Sequence, residues 1–329
     1  MLARVEAASV PAGPLPRTRR LGDRIGDGLL YGLTALAAIL GVLVVFAIIW
    51  RVADGAWPAI KFFKLGFVYH NVWNVNLNGG SFGARDLIIG TVVTSFGAML
   101  LSGPISIAIG LFLSELAPPA VRAPVGTLID MLAAVPSVVI GLWGIYVLAP
   151  FNANHIAPAI HAVLGWVPIF AGDPHTESTV FTAIIVLTIM TIPITSSICR
   201  ELFIGVPPEL EEGSIGLGAT RWEMVKTVVV PSVRGGVVAA IILGLGRALG
   251  EAIAVTQVIG NFIPMGRSLF APGDTMASRL ANQYQGASTD RQIAALIYLG
   301  LVLLVITFIT NYAAQRVVKR FEFQRTGGA

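Results

Sequence analysis

The segment GLGRALGEAIAV, at 244–255, carries two ionisable side chains inside a long apolar run. Glu251 follows Arg247 by four residues, which would place both on one face of a continuous helix. A charge at the centre of a membrane helix costs about 2.5–3.5 kcal/mol, so such residues usually face a cavity and mark a transport pathway. Arg247 and Glu251 are therefore candidate pathway residues. The alternative is an ion pair that only fixes the helix register.

The chemistry that Arg247 offers suits an anion. A guanidinium stays protonated and presents planar donors that match oxyanions such as phosphate. A further hypothesis is that Glu251 occupies Arg247 between transport events and so prevents tight retention of the anion. Asp130, in the segment GTLIDMLAAVPSVVIGLWG, is a third candidate. It falls in the cytoplasmic half of a predicted span, where it either lines the pathway or makes a helix contact.

Motifs for catalysis, nucleotide binding and metal binding are missing. The sequence has no Gly-Lys dipeptide and hence no phosphate-binding loop of the P-loop type. Glycine clusters at 213–218 and 244–250 follow no predicted strand, which argues against a dinucleotide fingerprint. His155 and His161 are six residues apart, which fits no common zinc spacing. We therefore predict no enzyme activity, no catalytic residue, no metal and no cofactor for this chain.

The composition is that of a membrane protein. Of 329 residues, 55% are hydrophobic and 12% are charged, the latter about half of the soluble norm of ~25%. Mean hydropathy is +0.79. The lysines and arginines mostly flank apolar segments and form no basic run interleaved with aromatics, which favours a lipid bilayer over a nucleic acid as the partner.

Six apolar segments are long enough to cross a bilayer, which takes ~20 residues. An all-α integral membrane fold follows, with predicted spans at 29–50, 87–113, 125–149, 179–199, 235–259 and 292–315. The predicted organisation is a flexible arm at 1–28, a first helix and external loop at 29–86, a core at 87–315, and a tail at 316–329.

An even number of spans places both termini on one side of the membrane. Fourteen of the 22 lysines and arginines lie on that side and seven lie on the other, with Arg247 inside a span. Because positive charge accumulates on the cytoplasmic side, the arm and the tail are predicted to be cytoplasmic. We therefore expect a multi-pass protein of the bacterial plasma membrane.

Small residues recur every four positions along the fifth span, from Gly236 through Ala240 and Gly244 to Ala248 and Ala252. Such a stripe lets neighbouring helices approach closely. The span that carries Arg247 is therefore predicted to be central rather than surrounded by lipid.

The longest cytoplasmic connection, at 200–234, is predicted to form a helical hairpin. Pro207-Pro208 opens one helix and Gly218 marks the turn after it. A second short helix is predicted from Thr220 to Val229, stopping before Pro231. The length and the strong cap signals of this segment favour a docking site over a plain connector.

The hairpin resembles the EAA loop of ABC importer permeases, whose pattern is EAA, three residues, Gly, nine residues, Ile, one residue, Leu-Pro. The spacing is intact here, although several motif residues are replaced by other small or apolar ones. The residues at the motif positions are Glu212, Gly213, Ser214, Gly218, Val228 and Pro231. We call residues 200–231 the coupling hairpin.

Other stretches are similar to the PstC-type permeases of phosphate importers. They are GLGRALGEAIAVTQVIGN, FGARDLIIGTVVTS, IGLFLSEL, AAVPSVVIGLWG and MASRLANQY, and the similarity spans about 70–320. The chain departs from the family at Asp130, where the family usually has Glu, and at Ala252-Ile253, where it commonly has Thr-Met.

The resemblance implies a type I ABC importer permease of MetI-like fold. Its partners would be a PstA-like permease, two ATPase subunits that bind ATP and magnesium, and an external phosphate-binding protein. The EAA positions would couple the permease to the ATPases, with Glu212 and Gly218 seating the coupling hairpin in the ATPase groove. The family pattern also assigns phosphate passage to the positions of Arg247 and Glu251.

Three alternatives stay open from the sequence. An ABC permease for sulfate or molybdate would share the EAA spacing but not the RALGE stretch. A secondary anion transporter or channel would account for the intramembrane charges and leave the hairpin spacing without a reason. A structural or sensory membrane partner is the third.

Overall fold

The structure of the protein, a computed structural model, describes residues 21–75 and 80–326. Helices dominate this part of the chain, as an all-α membrane fold requires. The sheet found within it is one short antiparallel pair, β1 (Trp73–Asn74) and β2 (Ser81–Phe82). The α-helices, in chain order, are α1 (Leu21–Phe63), α2 (Gly66–Tyr69), α3 (Arg85–Leu111), α4 (Pro119–Ala133), α5 (Ser137–Trp143), α6 (Ala149–Phe151), α7 (Ala157–Leu164), α8 (Val180–Ile204), α9 (Pro208–Gly216), α10 (Arg221–Met224), α11 (Val230–Gly250), α12 (Ile253–Val258), α13 (Met276–Gln283) and α14 (Asp290–Thr326).

Several of these helices are joined without interruption by wider or tighter turns. In a π turn the backbone N–H reaches back five residues, which inserts one extra residue into the helix. Within the described ranges, π turns occupy Phe112–Leu116, Gly144–Leu148, Asn152–Ile156 and Val225–Val229, and a 3₁₀ turn occupies Pro168–Phe170.

Six helical stretches of the described chain are long and apolar enough to cross a membrane, which confirms the predicted number. Their bounds are Gly26–Phe63, Arg85–Leu116, Ser137–Leu164, Val180–Ile204, Arg221–Gly250 and Asp290–Arg316.

The two ends of the chain are more helical than predicted. Helix α1 already begins at Leu21, and α14 continues through most of the predicted tail to Thr326. Hydropathy locates where a helix crosses the bilayer but not where its hydrogen bonds end, so a span prediction underestimates such helices. The rest of the predicted arm, at 1–20, and the last three residues lie outside the described residues.

The chain divides into two compact units, Met1–Arg51 and Val52–Ala329. The described part of the first is the N-terminal stretch of α1. The second holds the remaining helices and their cores. In one of these cores, the end of α1 packs through Ala56 and Ala59 on Ala295 and Leu299 of α14.

Helix α8 lies at the centre of the second unit and packs tightly on α3. A Cβ added to Gly97 would lie 2.9 Å from Ile184, and one added to Gly110 would lie 2.9 Å from Cys199. The Thr188 hydroxyl also donates to the carbonyl of Ala98 at 3.4 Å. Glycines and interhelical hydroxyl bonds of this kind hold membrane helices together where lipid offers no hydrophobic drive.

These contacts also fix the direction of the helices. Gly97 of α3 meets Ile184 of α8, and Gly110, further along α3, meets Cys199, further along α8. The two helices therefore run parallel. Helix α11 runs antiparallel to α8, because Gly236 meets Leu202 and Gly244 meets Thr195. The start of α3 at Arg85 and the start of α8 at Val180 therefore lie on the face opposite the coupling hairpin.

That opposite face is closed by the loop at 259–275 and by α13. Both are held to α3: Asp86 Oδ2 accepts the N–H of Met265 in the loop at 2.9 Å, and Thr91 Oγ1 accepts the N–H of Met276 at the start of α13 at 2.9 Å. Asp274 and Arg279 form a buried ion pair beside these contacts, with Nη2 and Oδ2 2.6 Å apart. Breaking one partner of such a pair typically costs about 3–5 kcal/mol, so we infer that this face is rigid.

Candidate functional site

Arg247 lies in the last helical turn of α11 with its side chain exposed on the isolated chain. No other residue of the described chain accepts a hydrogen bond from it or forms an ion pair with it. It lines an open pocket of about 540 Å³ with Ile194 of α8, Asn311 of α14 and three neighbours on its own helix. An intramembrane guanidinium without a partner therefore faces a cavity.

The neighbours of α11 show the depth at which Arg247 lies. One turn earlier, a Cβ on Gly244 would lie 2.7 Å from Thr195 Oγ1 and 3.3 Å from the sulfur of Met99. Met99 and Thr195 fall near the middle of the spans Arg85–Leu116 and Val180–Ile204. Arg247, one turn beyond Gly244, therefore lies near the mid-depth of these neighbouring spans, although it is three residues from the end of its own helical stretch, Arg221–Gly250.

The small-residue stripe of this helix packs against neighbouring helices, as predicted. Ala240, Gly244 and Ala248 of the small-residue stripe are buried. A Cβ on Gly236 would lie 2.7 Å from the Leu202 side chain, so the glycine is what permits this approach. The stripe turns towards α3 and α8 and leaves Arg247 on the remaining face.

Glu251 does not pair with Arg247, and the predicted geometry for this pair is wrong. Helix α11 ends at Gly250, and Glu251 has an extended backbone with φ −71° and ψ 119°. Its carboxylate turns to the next helix, where Oε1 accepts the N–H of Ala254 at 3.3 Å. The i, i+4 spacing brings side chains together only along an unbroken helix. The span predicted at 235–259 is therefore two helices. Arg247 and Glu251 do not form the ion pair that would have fixed the helix register.

Asp130 also lies elsewhere than predicted. The chain turns between α4 and α5 at Pro136, which cannot donate the helical hydrogen bond, so α4 ends at Ala133. Asp130 therefore precedes the membrane-spanning stretch Ser137–Leu164 instead of lying inside it. Its Oδ1 accepts from Ser197 at 3.2 Å and its Oδ2 lies 3.8 Å from Nη2 of Arg200. Of the two predicted roles, this geometry matches a contact between α4 and α8.

The first helix and the turn of the coupling hairpin have the predicted form. Helix α9 begins at Pro208, and Gly218 turns the chain with φ +93°, a conformation that L side chains rarely adopt. Thr220 then caps α10 through a reciprocal pair of bonds with Glu223, whose Oε2 accepts the N–H of Thr220 at 2.8 Å. Two helices and a fixed turn therefore present one surface.

The motif residues of this hairpin are mostly accessible. Glu212, Gly213, Gly218 and Pro231 are exposed, while Ser214 and Val228 are half-buried. The hairpin also exposes Leu217 by 92% and Trp222 by 72%. Large exposed apolar side chains that form a patch rimmed by charge mark a protein-interaction surface.

The second hairpin helix was predicted to stop before Pro231, and this prediction is wrong. It continues through the π turn Val225–Val229 into α11, with Pro231 in the first turn of that helix. In the π turn each backbone N–H reaches a carbonyl five residues back instead of four. Proline has no backbone N–H, so Pro231 leaves no donor unpaired where the bonding pattern changes and the helix continues. The coupling hairpin and the helix of Arg247 are therefore one continuous helical rod, Arg221–Gly250.

The hairpin packs near the end of α3, because Met224 and Val225 share a core with Leu111. Beside them, Arg122 Nη2 of α4 donates to the carbonyl of Ser114, in the π turn that follows α3, at 2.5 Å. Burial raises the pKa of Glu211 on α9, and the nearby carboxylates of Glu115 and Glu212 raise it further. Three acidic groups are thus held close together at this junction.

Sequence reasoning missed Asn311. Its amide lies 3.4 Å from where a Cβ on Gly246 would be, on the same pocket as Arg247. A polar amide inside an apolar span is costly unless it has a hydrogen-bond partner. This cost is the sequence signal that could have identified Asn311 as a candidate. The ion pair of Asp274 and Arg279 was also missed, because only the folded loop brings the two side chains onto a common buried surface. The described chain holds no cluster of three His, Cys, Asp or Glu side chains suited to a metal.

A family model described as the binding-protein-dependent transport system inner membrane component matches residues 106–323. The chain belongs to this family. Within it, the relatives at about 40% identity are phosphate transport system permease proteins named PstC. This chain is 41% identical over 309 residues to PstC of Pasteurella multocida, covering 93% of this chain and 95% of that protein. It is 40% identical over 300 residues to PstC of Haemophilus influenzae, covering 90% and 94%.

Solved structures show the same fold at low sequence identity. The inward-facing MetNI methionine ABC transporter matches with a TM-score of 0.54 and 17% identity, covering 72% of this chain and 95% of that one. A bacterial alginate ABC transporter matches with a TM-score of 0.59 and 17% identity, covering 92% and 99%. The predicted fold of a type I importer permease is confirmed.

Proposed function

We propose that this chain is the membrane-spanning permease subunit of an ATP-driven phosphate importer. The observation that carries the proposal is Arg247, an unpaired guanidinium at mid-span that faces a cavity. A fixed donor of this kind suits a tetrahedral oxyanion. Similarity to the PstC permeases along almost the whole chain supports phosphate as that oxyanion.

The proposed assembly contains four kinds of subunit in the bacterial plasma membrane. This chain pairs with a PstA-like permease, and the two together enclose the pathway that Arg247 lines. Two ATPase subunits bind ATP and magnesium at the cytoplasmic side, and an external binding protein delivers phosphate. The permease itself catalyses no reaction, and both of its termini are cytoplasmic.

Coupling runs through the hairpin. The exposed surface around Gly218 and Trp222 docks into the ATPase subunit, with Glu212 in the contact. Because the hairpin is continuous with α11, closure of the ATPases moves the helix that carries Arg247. The guanidinium then changes its exposure between the two sides of the membrane.

The deciding experiment is uptake of labelled phosphate by the complete complex reconstituted in liposomes. Uptake is expected to require the binding protein outside and ATP inside. Uptake driven by a proton gradient without ATP would contradict an ABC mechanism and favour a secondary transporter. If sulfate or molybdate at equal concentration competed with labelled phosphate as well as unlabelled phosphate does, phosphate would not be the preferred substrate and the proposal would be contradicted.

A further inference from the structure

The face opposite the coupling hairpin carries a second pocket with basic side chains. It has a volume of about 380 Å³ and lies between the start of α3 and the loop at 264–269. Arg85 enters it from α3 and Arg267 from the loop, while Asn71 and Ser268 also line it. The pocket is separate from the mid-span cavity of Arg247, with which it shares no lining residue.

Within the described residues, neither arginine of this pocket has a direct ion-pair partner. In the described chain, no carboxylate lies within ion-pair distance of Arg85 or Arg267, and neither guanidinium donates a hydrogen bond. Asp86 is the one acidic residue that lines the pocket, and its Oδ2 accepts the N–H of Met265 at 2.9 Å. The pocket therefore carries a net charge of about +1 from these groups.

The loop adds neutral donors. The backbone N–H groups of Gly266, Arg267 and Ser268 bond to no acceptor in the described chain. Ser268 Oγ accepts the N–H of Phe270 at 3.0 Å, which leaves the hydroxyl hydrogen available to donate. Successive free amides beside guanidinium groups are the donor set that oxyanion sites use.

The frame of the pocket is rigid. Asp86 ties the loop to α3, and the Leu269 N–H donates to the carbonyl of Ile169 at 2.8 Å. The backbone segments that carry Arg85 and Arg267 are thus fixed, while the two exposed side chains stay free to turn towards an anion. A fixed backbone lowers the ordering cost of binding to that of the two side chains.

From these observations we propose that the pocket between Arg85 and Arg267 binds a phosphate-type oxyanion on the face opposite the coupling hairpin. This anion site is separate from the cavity of Arg247. Its assignment to phosphate, among other oxyanions, rests on the proposed function. The ligand is either free phosphate or the phosphate of a lipid headgroup, which share the same tetrahedral oxygens. Because Asp86 offsets one of the two positive charges, occupancy is weak and reversible.

The test is protection of a reporter thiol in the complete complex. Cys199 is the chain's single cysteine and is buried, so an Asn71→Cys substitution creates an accessible thiol at the pocket rim. Its rate of modification by a charged methanethiosulfonate reagent is measured in phosphate-free detergent. Millimolar phosphate above the dissociation constant is expected to slow it by more than about twofold, since more than half of the sites are then filled.

Variants separate the site from a general effect of charge. Arg85→Gln with Arg267→Gln is expected to abolish protection. Lys61→Gln with Lys64→Gln removes two charges outside the pocket and is expected to preserve it. A reporter at Ser288→Cys, on another loop, is expected to show no protection. Equal protection with and without the two arginines would overturn the proposal.

Two further arms identify the ligand. Protection by an anionic phospholipid added to the detergent, lost in the double arginine variant, supports the site and assigns the headgroup as its ligand. Protection by the binding protein alone, with none from phosphate or lipid, overturns the proposal and marks the pocket as a docking surface. Uptake measured in parallel tests the proposed function separately. Normal phosphate uptake without protection of the thiol rejects only the proposed anion site. Protection of the thiol together with uptake of an oxyanion other than phosphate rejects only phosphate as the transported substrate.

Discussion

At the scale of single residues, Arg247 is set apart by what it lacks. It is a mid-span charge without a partner in the described chain, whereas Asp274 and Arg279 neutralise each other. We expect Arg247→Ala to preserve assembly of the complex and to lower phosphate uptake by about 10–100-fold, the loss of one charged hydrogen-bonding group of about 1.5–3 kcal/mol. Arg247→Lys separates the roles of charge and shape, because a lysine keeps the charge and loses the planar donors. Uptake assays on the reconstituted complex measure both, and unchanged uptake in Arg247→Ala would remove this residue from the pathway.

Glu251 has two roles that one pair of substitutions can separate. Its Oε1 accepts the N–H of Ala254 in the first turn of α12, while its charge lies close to the span of Arg247. Glu251→Gln keeps an acceptor oxygen and removes the charge, whereas Glu251→Ala removes both. We expect Glu251→Ala to destabilise the subunit by about 1 kcal/mol, as loss of a helix cap does, and Glu251→Gln to cost less. Thermal unfolding of the purified complex measures this difference. Full uptake by a stable Glu251→Gln complex would show that the charge has no part in transport.

At the scale of elements, the coupling hairpin depends on the turn at Gly218. Its φ of +93° lies where L side chains are strained, although no neighbour would touch an added Cβ. Gly216 offers a matched control, because it lies in helix α9 outside the motif positions and also has open space around it. We expect Gly218→Ala to cost about 1–2 kcal/mol of hairpin stability and to weaken coupling, while Gly216→Ala leaves coupling unchanged because its backbone is not strained. The ratio of ATP hydrolysed to phosphate taken up measures the coupling, and equal ratios in both variants would contradict a role for this turn.

Local signals made the hairpin predictable and left the breaks in the spans undetected. Pro208, Gly218 and Thr220 each act on their own stretch of backbone, so the sequence alone indicates the helix starts and the turn. The break at Glu251 interrupts an apolar run whose hydropathy continues into α12, so nothing in the pattern marks it. Pro136 lies inside the apolar run predicted as one span at 125–149, and only the fold shows that the chain turns there between α4 and α5. The pocket of Arg85 and Arg267 joins residues far apart in sequence, which no local pattern reports.

At the scale of the whole molecule, the proposed function predicts that a partner permease covers the exposed Arg247. On the chain alone this side chain faces outward, where lipid would make it cost about 2.5–3.5 kcal/mol. We expect Arg247→Leu to increase the yield and thermal stability of the chain expressed without its partner permease, and to abolish uptake in the complete complex. Arg316→Leu, at the end of the last span, is the control and is expected to change neither. A decrease in stability of the isolated chain on Arg247→Leu would mean that the arginine faces its own subunit.

The continuous helix Arg221–Gly250 has a mechanical consequence. Thirty residues of helix form a rod about 45 Å long. It touches α8 at Gly236 and Gly244, between the hairpin at one end and Arg247 near the other. A rod that tilts about those contacts moves its two ends in opposite directions, and the extended backbone at Glu251 lets the far end swing without dragging α12. Under the proposed function, a push from the ATPases in one direction would therefore displace the guanidinium in the other, a reversal that spin labels at the two ends of the rod can measure.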